Sequence, residues 1–362
     1  MASAIRVLVV NAGSSALKLR VLDGALSLLA GEDVELPDGQ VAGDRVAHAL
    51  AGLPEADAVG HRVVHGGPWY SGPVLIDAQV EARIGALGSL APLHQERALA
   101  GIAAVRSVRP GLPTVACFDT AFHAGLPAAA AAYALPADWV ERHGLRRYGF
   151  HGLSHAHVAR RAGELIGRSG LRVVSCHLGA GASLAAIHDE RSVDTTMGFT
   201  PLEGLVMATR SGSVDPGLLL WLLRDGGVSR ADVEDGLEHR SGLLGLSGSA
   251  DMRALLARDD DRARTAVAVY VHRLRASIAA MAAAMDGLDV LAFTGGVGER
   301  AAPIRAAAAA GLGFLGVLLD EGRNAAATPD ADVGAPESAV RVLTVEARED
   351  AEIARQVLAV LG

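Results

Sequence analysis

The sequence predicts an α/β protein built from two domains, and three observations support this fold class. The chain has 362 residues, a usual length for two domains that each bury a core of their own. Apolar runs typical of buried strands alternate along the chain with stretches typical of helices. The segment VVNAGSSALKLRVLD at 9–23 is also similar to SCHLGAGASLAAIHD at 175–189. This repeat of strand, glycine loop and strand indicates two related domains, although unrelated hairpins with glycine turns would give the same pattern.

In chain order, the first half of the sequence predicts four strands and one long helix. The strands are expected at 5–10, 17–22, 57–64 and 112–118. The helix is expected at 95–108, because Glu96 lies in its first turn and Pro110 lies beyond its end. The second half predicts helices at 264–285 and 351–360, and strands at 171–177, 183–187, 289–293 and 341–345. Strands and helices that interleave in this way predict a sheet covered by helices.

The composition excludes several classes of protein. Half of the residues are hydrophobic and a fifth are charged, a balance typical of globular proteins and not of disordered or collagen-like chains. The net charge of −8 disfavours nucleic acid and anionic membrane surfaces as partners. The N-terminus has no signal-peptide pattern, and no run of 18 apolar residues predicts a membrane span. Cys117 and Cys176 lie in separate apolar runs, so we expect buried, reduced thiols in a cytoplasmic protein.

Three glycine loops predict a site for phosphate groups. NAGSSALK at 11–18 and HLGAGAS at 177–183 each connect two predicted strands, and TGGVGER at 294–300 follows a third. Glycine lets backbone N–H groups point at one anion without interference from a Cβ atom. The first loop also contains two serines, the only lysine of the chain, Lys18, and one of its two asparagines, Asn11. Neither a Walker A loop nor a GxGxxG fingerprint is present, so the loops predict a nucleotide site of another kind.

These loops belong to a series of sequence blocks that spans nearly the whole chain. Together the blocks resemble the acetate kinase family, part of the acetate and sugar kinase/heat-shock protein/actin superfamily. The blocks are VLVVNAGSSALKL (7–19), VGHRVVHGG (59–67), APLH (91–94), CFDTAFH (117–123), RRYGFHGLSH (146–155), CHLGAGAS (176–183), TTMGFTPLEGLVMATRSG (195–212), SGSADMR (247–253), FTGGVGE (293–299) and EDAEIA (349–354).

The resemblance implies two ribonuclease-H-like domains of the actin-like ATPase type, with the active site in a cleft between them. The first domain would comprise 1–121 and 351–362, and the second would comprise 122–350. The implied reaction is the reversible transfer of the ATP γ-phosphoryl group to acetate. Propionate, butyrate or another short carboxylate is an alternative acceptor, since one methyl group shifts binding by only about 1–3 kcal/mol. A non-catalytic regulator that binds nucleotide is a further alternative, which the full set of implied catalytic residues disfavours.

The resemblance also implies roles for individual residues. Asp119, His151 and Arg210 would be catalytic, and Arg62 and His94 would bind the substrate. An arginine can clamp a carboxylate or phosphoryl group through two N–H donors, although a surface ion pair is the commoner fate of an arginine. The alkyl tail of the acid would lie among four apolar positions, which ordinary core packing would also explain. They are Val64, Leu93, Phe150 and Pro201.

ATP and a divalent cation are the implied cofactors. Mg²⁺, for which Mn²⁺ could substitute, would be held by Asn11 and Glu349. The positions that match nucleotide contacts are Lys18, His177, Leu178, Gly179, Ala180, Gly181, Asp251, Met252, Arg253, Gly296, Val297, Gly298, Glu299 and Arg300. Members of the family are usually homodimers, so we expect a homodimer here.

The chain departs from the family pattern in its nucleotide blocks. Ala180 stands where the family usually has Asn, Ala208 replaces a glycine, and Arg300 replaces an Asn. We expect these changes to affect nucleotide binding more than phosphoryl transfer. A different interpretation concerns His151 and His155, whose spacing of four places both on one face of a helix, as in some zinc sites. No HExxH pattern accompanies them, which disfavours zinc.

Overall fold

The computed structural model describes residues 5–13, 16–36, 41, 43–90 and 92–362, apart from the side chains of 89, 92 and 93. The chain forms two compact units. Unit 1 comprises the described residues of Met1–Ala124 together with Phe150–His157 and Arg348–Gly362. Unit 2 comprises Gly125–Gly149 and Val158–Ala347. Unit 1 therefore includes Phe150–His157, which the expected boundary at 121 would assign to the second domain. The domain boundaries themselves stay a prediction.

The described strands include all eight that were predicted from apolar runs and four that were not. In chain order they are β1 (Val7–Ala12), β2 (Ala16–Leu22), β3 (Leu28–Glu35), β4 (Ala58–Val63), β5 (Val74–Leu75), β6 (Thr114–Phe118), β7 (Arg172–Leu178), β8 (Ala182–His188), β9 (Arg191–Thr195), β10 (Val290–Thr294), β11 (Ala331–Asp332) and β12 (Arg341–Thr344).

The described helices include the three predicted ones and several that were not predicted. In chain order they are α1 (Gly43–Ala51), α2 (Ala78–Ala86), α3 (Pro92–Val108), α4 (Ala128–Ala131), α5 (Ala137–His143), α6 (Gly152–Ile166), α7 (Pro216–Arg224), α8 (Arg230–His239), α9 (Gly242–Ser247), α10 (Met252–Leu256), α11 (Asp261–Ala283), α12 (Gly295–Arg300), α13 (Ala302–Ala309), α14 (Glu321–Ala326) and α15 (Glu349–Leu361). None of these helices combines the length and the hydropathy that a membrane span requires.

Unit 1 is built on a six-stranded sheet of order β3-β2-β1-β4-β6-β5. Strands β1, β4 and β6 are parallel, and the other neighbouring pairs are antiparallel. Both faces of β1 are covered. Leu8 and Val10 pack in the same core as residues of α1 and α3, while Val7 and Val9 pack with residues of α15. A strand covered on both faces needs a continuous apolar run, and LVV in β1 provides it.

Unit 2 is built on a second six-stranded sheet, of order β11-β12-β10-β7-β8-β9. Its pairing repeats that of unit 1, because β7, β10 and β12 are parallel and the remaining neighbours are antiparallel. The similar segments at 9–23 and 175–189 fall on equivalent hairpins, β1–β2 and β7–β8. The sequence repeat therefore corresponds to a repeat of sheet topology.

The long helix α11 supplies much of the core of unit 2. It begins after Asp260, whose side chain accepts a hydrogen bond from the Ala263 N–H and so caps the helix. Its buried residues recur at intervals of three and four, as expected for one face of a helix packed on a sheet. They are Ala263, Ala266, Tyr270, Val271, Leu274, Ile278, Met281 and Ala282.

Candidate active site

Three predicted site residues lie at one edge of the sheet of unit 1. Asn11 is near the end of β1, Arg62 is near the end of β4, and Asp119 directly follows β6. Because β1, β4 and β6 are parallel, their carboxyl ends meet at the same edge, where α/β proteins usually place their ligands. The polar residues at or near the ends of these three strands are therefore brought together by the topology.

Arg62 and Asp119 form a close ion pair. The Arg62 Nη2 atom lies 2.6 Å from Asp119 Oδ2, and Nε lies 3.2 Å from Oδ1 and 3.1 Å from Oδ2. The Asp119 side chain is 1% exposed and that of Arg62 is 17% exposed. A two-point contact of this kind fixes the plane of the guanidinium as well as its position. Because this pair uses Nε and Nη2, the Nη1 atom of Arg62 is left to contact Asn11 and Glu349.

Asn11 and Glu349 complete this network. Arg62 Nη1 donates to Asn11 Oδ1 at 3.2 Å, and Asn11 Nδ2 donates to Glu349 Oε2 at 3.0 Å. The Glu349 Oε2 atom lies 3.9 Å from Arg62 Nη1. Glu349 belongs to α15, 338 positions beyond Asn11 in the sequence. The structure thus brings together four residues that were predicted from separate blocks, which we call the Arg62 network: Asn11, Arg62, Asp119 and Glu349.

The protonation of the Arg62 network depends on burial and on the charged groups that lie next to each other in it. Burial alone lowers the pKa of Arg62, but Asp119 and Glu349 outweigh it, so the net pKa lies above its ordinary value. Burial raises the pKa of the Asp119 carboxyl, and the Arg62 guanidinium opposes that rise. Arg62 therefore remains a cation at neutral pH. The network presents one fixed positive charge flanked by carboxylates.

The segment that carries His151 is held directly against Asp119. The Gly152 N–H donates to the Asp119 carbonyl at 2.9 Å. A Cβ atom at Gly152 would lie 2.1 Å from that oxygen, so only glycine fits there. His151 has a φ of 56°, in the left-handed region that side chains seldom adopt. The buried ring of His123 contacts the Phe150 carbonyl at 3.1 Å through Nε2 and braces the same turn.

The apolar residues predicted around the substrate are partly described. Val64 follows β4 and is buried, and Phe150 is buried with its ring centroid 5.5 Å from that of His65 in an edge-to-face contact. His94 lies on α3 and is half-buried. The side chain of Leu93 lies outside the described residues. Buried apolar side chains are found in a hydrophobic core as well as in a substrate pocket. The assignment of these residues to a substrate pocket therefore stays a prediction.

In unit 2, two of the predicted nucleotide segments lie next to each other. Residues 179–181 form the turn between β7 and β8, closed by a 3.0 Å hydrogen bond from the Gly179 N–H to the Gly181 carbonyl. Gly295, the first residue of α12, has a φ of 77°, and a Cβ there would lie 2.8 Å from the Leu178 carbonyl. His177 is half-buried, and Ala180 is exposed at the tip of the turn. The backbone of the glycine turn is thus close to the start of α12.

The remaining residues of α12 differ in their exposure to solvent. Val297 is half-buried, Gly298 is buried, and Gly296 is exposed with open space where a Cβ would be. The Glu299 carboxylate accepts hydrogen bonds from the N–H groups of Gly295 at 3.1 Å and Ala347 at 3.0 Å. Arg300 is exposed. Glu299 therefore fixes the backbone of this segment.

The other predicted nucleotide residues are mostly at the surface. Asp251 caps α10 by accepting a hydrogen bond from the Arg253 N–H at 2.8 Å. The Arg253 side chain is 92% exposed, whereas Met252 is buried. In unit 1, the exposed Lys18 lies opposite Asn11 in the pairing of β1 with β2. Ser14 and Ser15 of this first glycine loop lie outside the described residues.

Arg210 lies in the irregular segment 196–215 that connects β9 with α7. Its Nη1 donates to the Pro201 carbonyl at 3.3 Å, and its Nε lies 3.8 Å from Glu238 Oε2. Burial lowers the pKa of Arg210, and Glu238 counteracts this. Two predicted site residues, Pro201 and Arg210, are therefore in direct contact within unit 2.

The side chains that contact the segment 196–215 were not predicted from the sequence. Tyr133 and Arg147 both bind the Glu203 carboxylate, at 2.6 and 2.8 Å. Arg147 and Glu203 lie inside blocks quoted for the family resemblance, whereas Tyr133 lies in an alanine-rich stretch with no signal of its own. Among the described residues, no group of three His, Cys, Asp or Glu side chains is placed to hold a metal ion.

The chain is similar in sequence to proteins of known function. Residues 40–355 match the model of the Acetokinase family. An acetate kinase of Synechococcus sp. (strain JA-2-3B'a(2-13)) is 53% identical over 311 residues, which cover 83% of this chain and 77% of that protein.

Two solved structures resemble the whole chain. The crystal structure of Porphyromonas gingivalis acetate kinase has 36% identity and a TM-score of 0.92, and the match covers 99% of this chain and 100% of that one. A propionate kinase from Francisella tularensis subsp. tularensis SCHU S4 has 33% identity and a TM-score of 0.90, with 98% and 99% covered. These similarities confirm the predicted α/β fold class with two actin-like domains.

Proposed function

The chain belongs to the acetokinase family, and we propose that its Arg62 network forms part of the active site for the family's reaction. That reaction is the reversible transfer of the γ-phosphoryl group of ATP to acetate, which gives acetyl phosphate and ADP. The observation that carries the assignment of the site is the convergence of Asn11, Arg62, Asp119 and Glu349 at the carboxyl edge of one sheet.

The chemistry requires little proton transfer from the protein. Acetate is ionised near neutral pH, so its oxygen is already a nucleophile and no general base is needed. Catalysis then depends on holding the carboxylate and the γ-phosphoryl group in line and on stabilising the charge of the transition state. Fixed cations serve this purpose better than mobile ones, because their orientation is set before the reaction.

Arg62 is suited to bind the negative oxygens of the substrate. Its guanidinium plane is set by the two contacts with Asp119, which gives that carboxylate an orienting role and not one in proton transfer. In unit 2, Arg210 would stabilise the transferred phosphoryl group, as a planar donor of several hydrogen bonds. His151 would donate to the same group from its constrained left-handed backbone. His94 would bind the substrate as well.

The apolar residues would surround the methyl group of the acid. The family resemblance assigns this role to Val64, Leu93 and Phe150 of unit 1 and to Pro201 of unit 2. A pocket that accepts acetate discriminates against a longer acid by steric exclusion, whereas one shaped for propionate still binds acetate, with a loss of about 1–3 kcal/mol for the missing methylene. The acceptor preference of this chain is therefore measured with a series of acids.

The glycine segments of unit 2 would bind the nucleotide. Backbone N–H groups of residues 179–181 would face the phosphates, since small residues leave that turn uncovered. Gly296 and its neighbours in α12 would approach the adenosine. Lys18 would supply a positive charge to a phosphate, and Asp251 and Arg253 would bind the ribose or base from the surface.

The donor set of the Arg62 network suits Mg²⁺. Its carboxylate and amide oxygens, Glu349 Oε2 and Asn11 Oδ1, are hard donors of the type that Mg²⁺ binds together with water and phosphate. The bound ion would neutralise charge on the ATP phosphates. Mn²⁺, with similar ligand preferences, would substitute for it.

We also propose that the chain forms a homodimer through α7, in the cytoplasm. The sequence of α7, PGLLLWLLR, is apolar around the helix, yet none of its residues is buried. Leu218 and Trp221 are 46% and 50% exposed, and Leu220 is 58% exposed. Helices that are apolar on all sides are normally buried, and pairing with the same helix of a second copy would cover this one. The two free cysteines fit a reducing compartment.

The dimer is tested by light scattering after gel filtration. Leu220→Glu is expected to convert the dimer to a monomer, because it places a charge in the apolar contact. Phe314→Glu is the matched control, since Phe314 is 75% exposed in another part of unit 2. A monomeric wild-type protein, or a dimer that Leu220→Glu leaves intact, would contradict the proposal.

The activity is tested by trapping the acyl phosphate with hydroxylamine. Purified protein is incubated with ATP, Mg²⁺ and acetate, propionate or butyrate, and the reverse reaction is followed from acetyl phosphate and ADP. We expect formation of acetyl phosphate, with a loss of at least about a hundredfold in kcat/KM for Arg62→Ala. An active enzyme in which Arg62→Ala has the wild-type rate would refute the placement of the site.

A further inference from the structure

A long irregular segment of unit 2 carries two residues of the proposed site. Residues 196–215 contain no helix or strand, although they connect β9 with α7 inside a compact unit. Both Pro201 and Arg210 lie in this segment, and they contact each other at 3.3 Å. A segment without its own backbone ladder needs side chains to fix its course, because its N–H and C=O groups lack regular partners.

Three side chains supply these contacts. Glu203 belongs to the segment, and Tyr133 and Arg147 lie outside it. We call these three residues the Glu203 cluster. The Glu203 carboxylate accepts from the Tyr133 hydroxyl at 2.6 Å and from Arg147 Nη2 at 2.8 Å. The Arg147 guanidinium carbon also lies 5.5 Å from the centroid of the Tyr133 ring. Each member of the cluster thus contacts the other two.

The cluster binds the backbone of the segment at several points. Tyr133 accepts a hydrogen bond from the Phe199 N–H at 2.9 Å. Arg147 Nη1 donates to the carbonyls of Thr196 at 3.2 Å and Met197 at 3.1 Å. Because Tyr133 receives one hydrogen bond from the segment and gives another to Glu203, its hydroxyl uses both functions of the group. The cluster thereby fixes the course of the backbone from 196 to 199.

The fit around Gly198 shows how closely the cluster approaches this backbone. A Cβ atom at Gly198 would lie 1.8 Å from Glu203 Oε2 and 2.2 Å from the Tyr133 hydroxyl oxygen. The Gly198 carbonyl accepts from the N–H groups of Tyr148 at 3.1 Å and Gly149 at 3.2 Å. Burial, together with the bond to Glu203, raises the pKa of Tyr133 to about 12, so the phenol keeps its proton near neutral pH.

We infer that the Glu203 cluster positions Pro201 and, through the Pro201 carbonyl, Arg210 for the phosphoryl transfer. This inference rests on the proposed roles of Pro201 and Arg210. The members of the cluster are positioning residues, since they act through the segment and not on the substrate. Loss of the Tyr133 hydroxyl frees the Phe199 N–H and removes one of the two donors to Glu203, while the aromatic ring remains.

The test compares two Tyr→Phe variants in unit 2. Tyr133→Phe removes a hydroxyl with two hydrogen bonds, whereas Tyr270→Phe removes one that is buried and has no hydrogen-bond partner among the described residues. We expect Tyr133→Phe to lower kcat with acetate about tenfold or more, the effect of one lost hydrogen bond to a charged group. The KM for ATP should stay at the wild-type value, and Glu203→Gln should retain more activity than Glu203→Ala.

Hydrogen exchange gives a second readout that does not require turnover. The amide of Phe199 should exchange faster in Tyr133→Phe than in the wild type or Tyr270→Phe. Unchanged exchange at Phe199 would overturn the inference, even in a protein that makes no acyl phosphate. In an active wild type, equal kcat for both Tyr→Phe variants would overturn it as well, whereas an inactive wild type would refute the proposed function itself. A lower Tm for Tyr133→Phe with unchanged kinetics would show that Tyr133 only stabilises the fold. That result would also contradict the inference that the Glu203 cluster positions Pro201 and Arg210.

Discussion

Replacing Asp119 with asparagine removes one charge from the centre of the Arg62 network and changes the shape of the side chain very little. Asp119 is almost fully buried and makes its contacts with Arg62 at 2.6–3.2 Å. Breaking a buried ion pair by removing one partner costs about 3–5 kcal/mol. The asparagine side chain would keep one carbonyl acceptor, and Glu349 lies only 3.9 Å from Arg62, so part of the loss is offset. We therefore expect Asp119→Asn to lower the free energy of unfolding of unit 1 by about 2–3 kcal/mol.

The stability of unit 1 can be followed through Trp69, its only tryptophan in the sequence. In a Trp139→Phe and Trp221→Phe background, a urea titration monitored by fluorescence reports on this unit alone. The activity of Asp119→Asn is measured in the same preparation, and kcat/KM for acetate should fall at least about a hundredfold because Arg62 loses its fixed orientation.

Asp289→Asn provides a matched control in unit 2. Asp289 accepts from Arg172 Nε and Nη2, both at 3.1 Å, and so forms a similar two-point pair outside the proposed site. The stability of unit 2 is followed through Trp139 and Trp221 in a Trp69→Phe background. There Asp289→Asn should be less stable than its parent, and it should keep the wild-type kcat/KM. Wild-type stability and wild-type kinetics for Asp119→Asn would together refute the reasoning. A stability loss with unchanged kinetics would reduce the Arg62–Asp119 pair to a structural contact.

Three further predictions concern other parts of the molecule. Burial lowers the pKa of His123 from 6.5 to about 4, so only the unfolded chain binds a proton at this side chain between these values. The contribution of His123 to stability should fall by about 3 kcal/mol as the pH drops from 6.5 to 4, in addition to the losses at His61 and His65, whose pKa values burial also lowers. Urea titrations at several pH values should therefore show a flatter profile for His123→Gln. Gly152→Ala should lower Tm and kcat, since its Cβ would meet the Asp119 carbonyl, whereas Gly125→Ala, with open space around it, should change neither. Both cysteines are buried with raised pKa values, so a thiol reagent should label them only after denaturation, and labelling of the native protein would contradict their burial.

The central strands and their terminal polar residues could be predicted from the sequence because burial dictates both. A strand covered on two faces is mostly apolar, so β1 and β6 stand out as short apolar runs, whereas β4 (AVGHRV) also contains His61 and Arg62. Polar residues then lie at the next-to-last position of a strand, as Asn11 and Arg62 do, or directly after it, as Asp119 does. Parallel pairing brings these ends together, and the contacts of the Arg62 network follow from the topology.

Edge strands and side-chain clusters could not be predicted in this way. Most residues of β3, LLAGEDVE, are exposed, so no alternation of apolar and polar residues marks the strand. Tyr133 and Glu203 are 70 positions apart and meet only through tertiary structure. The exposed apolar helix α7 has a composition typical of a core helix, and the sequence alone gives no sign that its own unit leaves it uncovered.

The late position of Glu349 in the chain has a consequence for biosynthesis. Residues 348–362 pack into unit 1 beside strands that all precede residue 124, whereas every part of unit 2 precedes residue 348. On the ribosome, translation of unit 2 is therefore complete before this last segment of unit 1 emerges. The strands of unit 1 are therefore made before α15 is available to cover them, and the Arg62 network is incomplete in a nascent chain until Glu349 has been added.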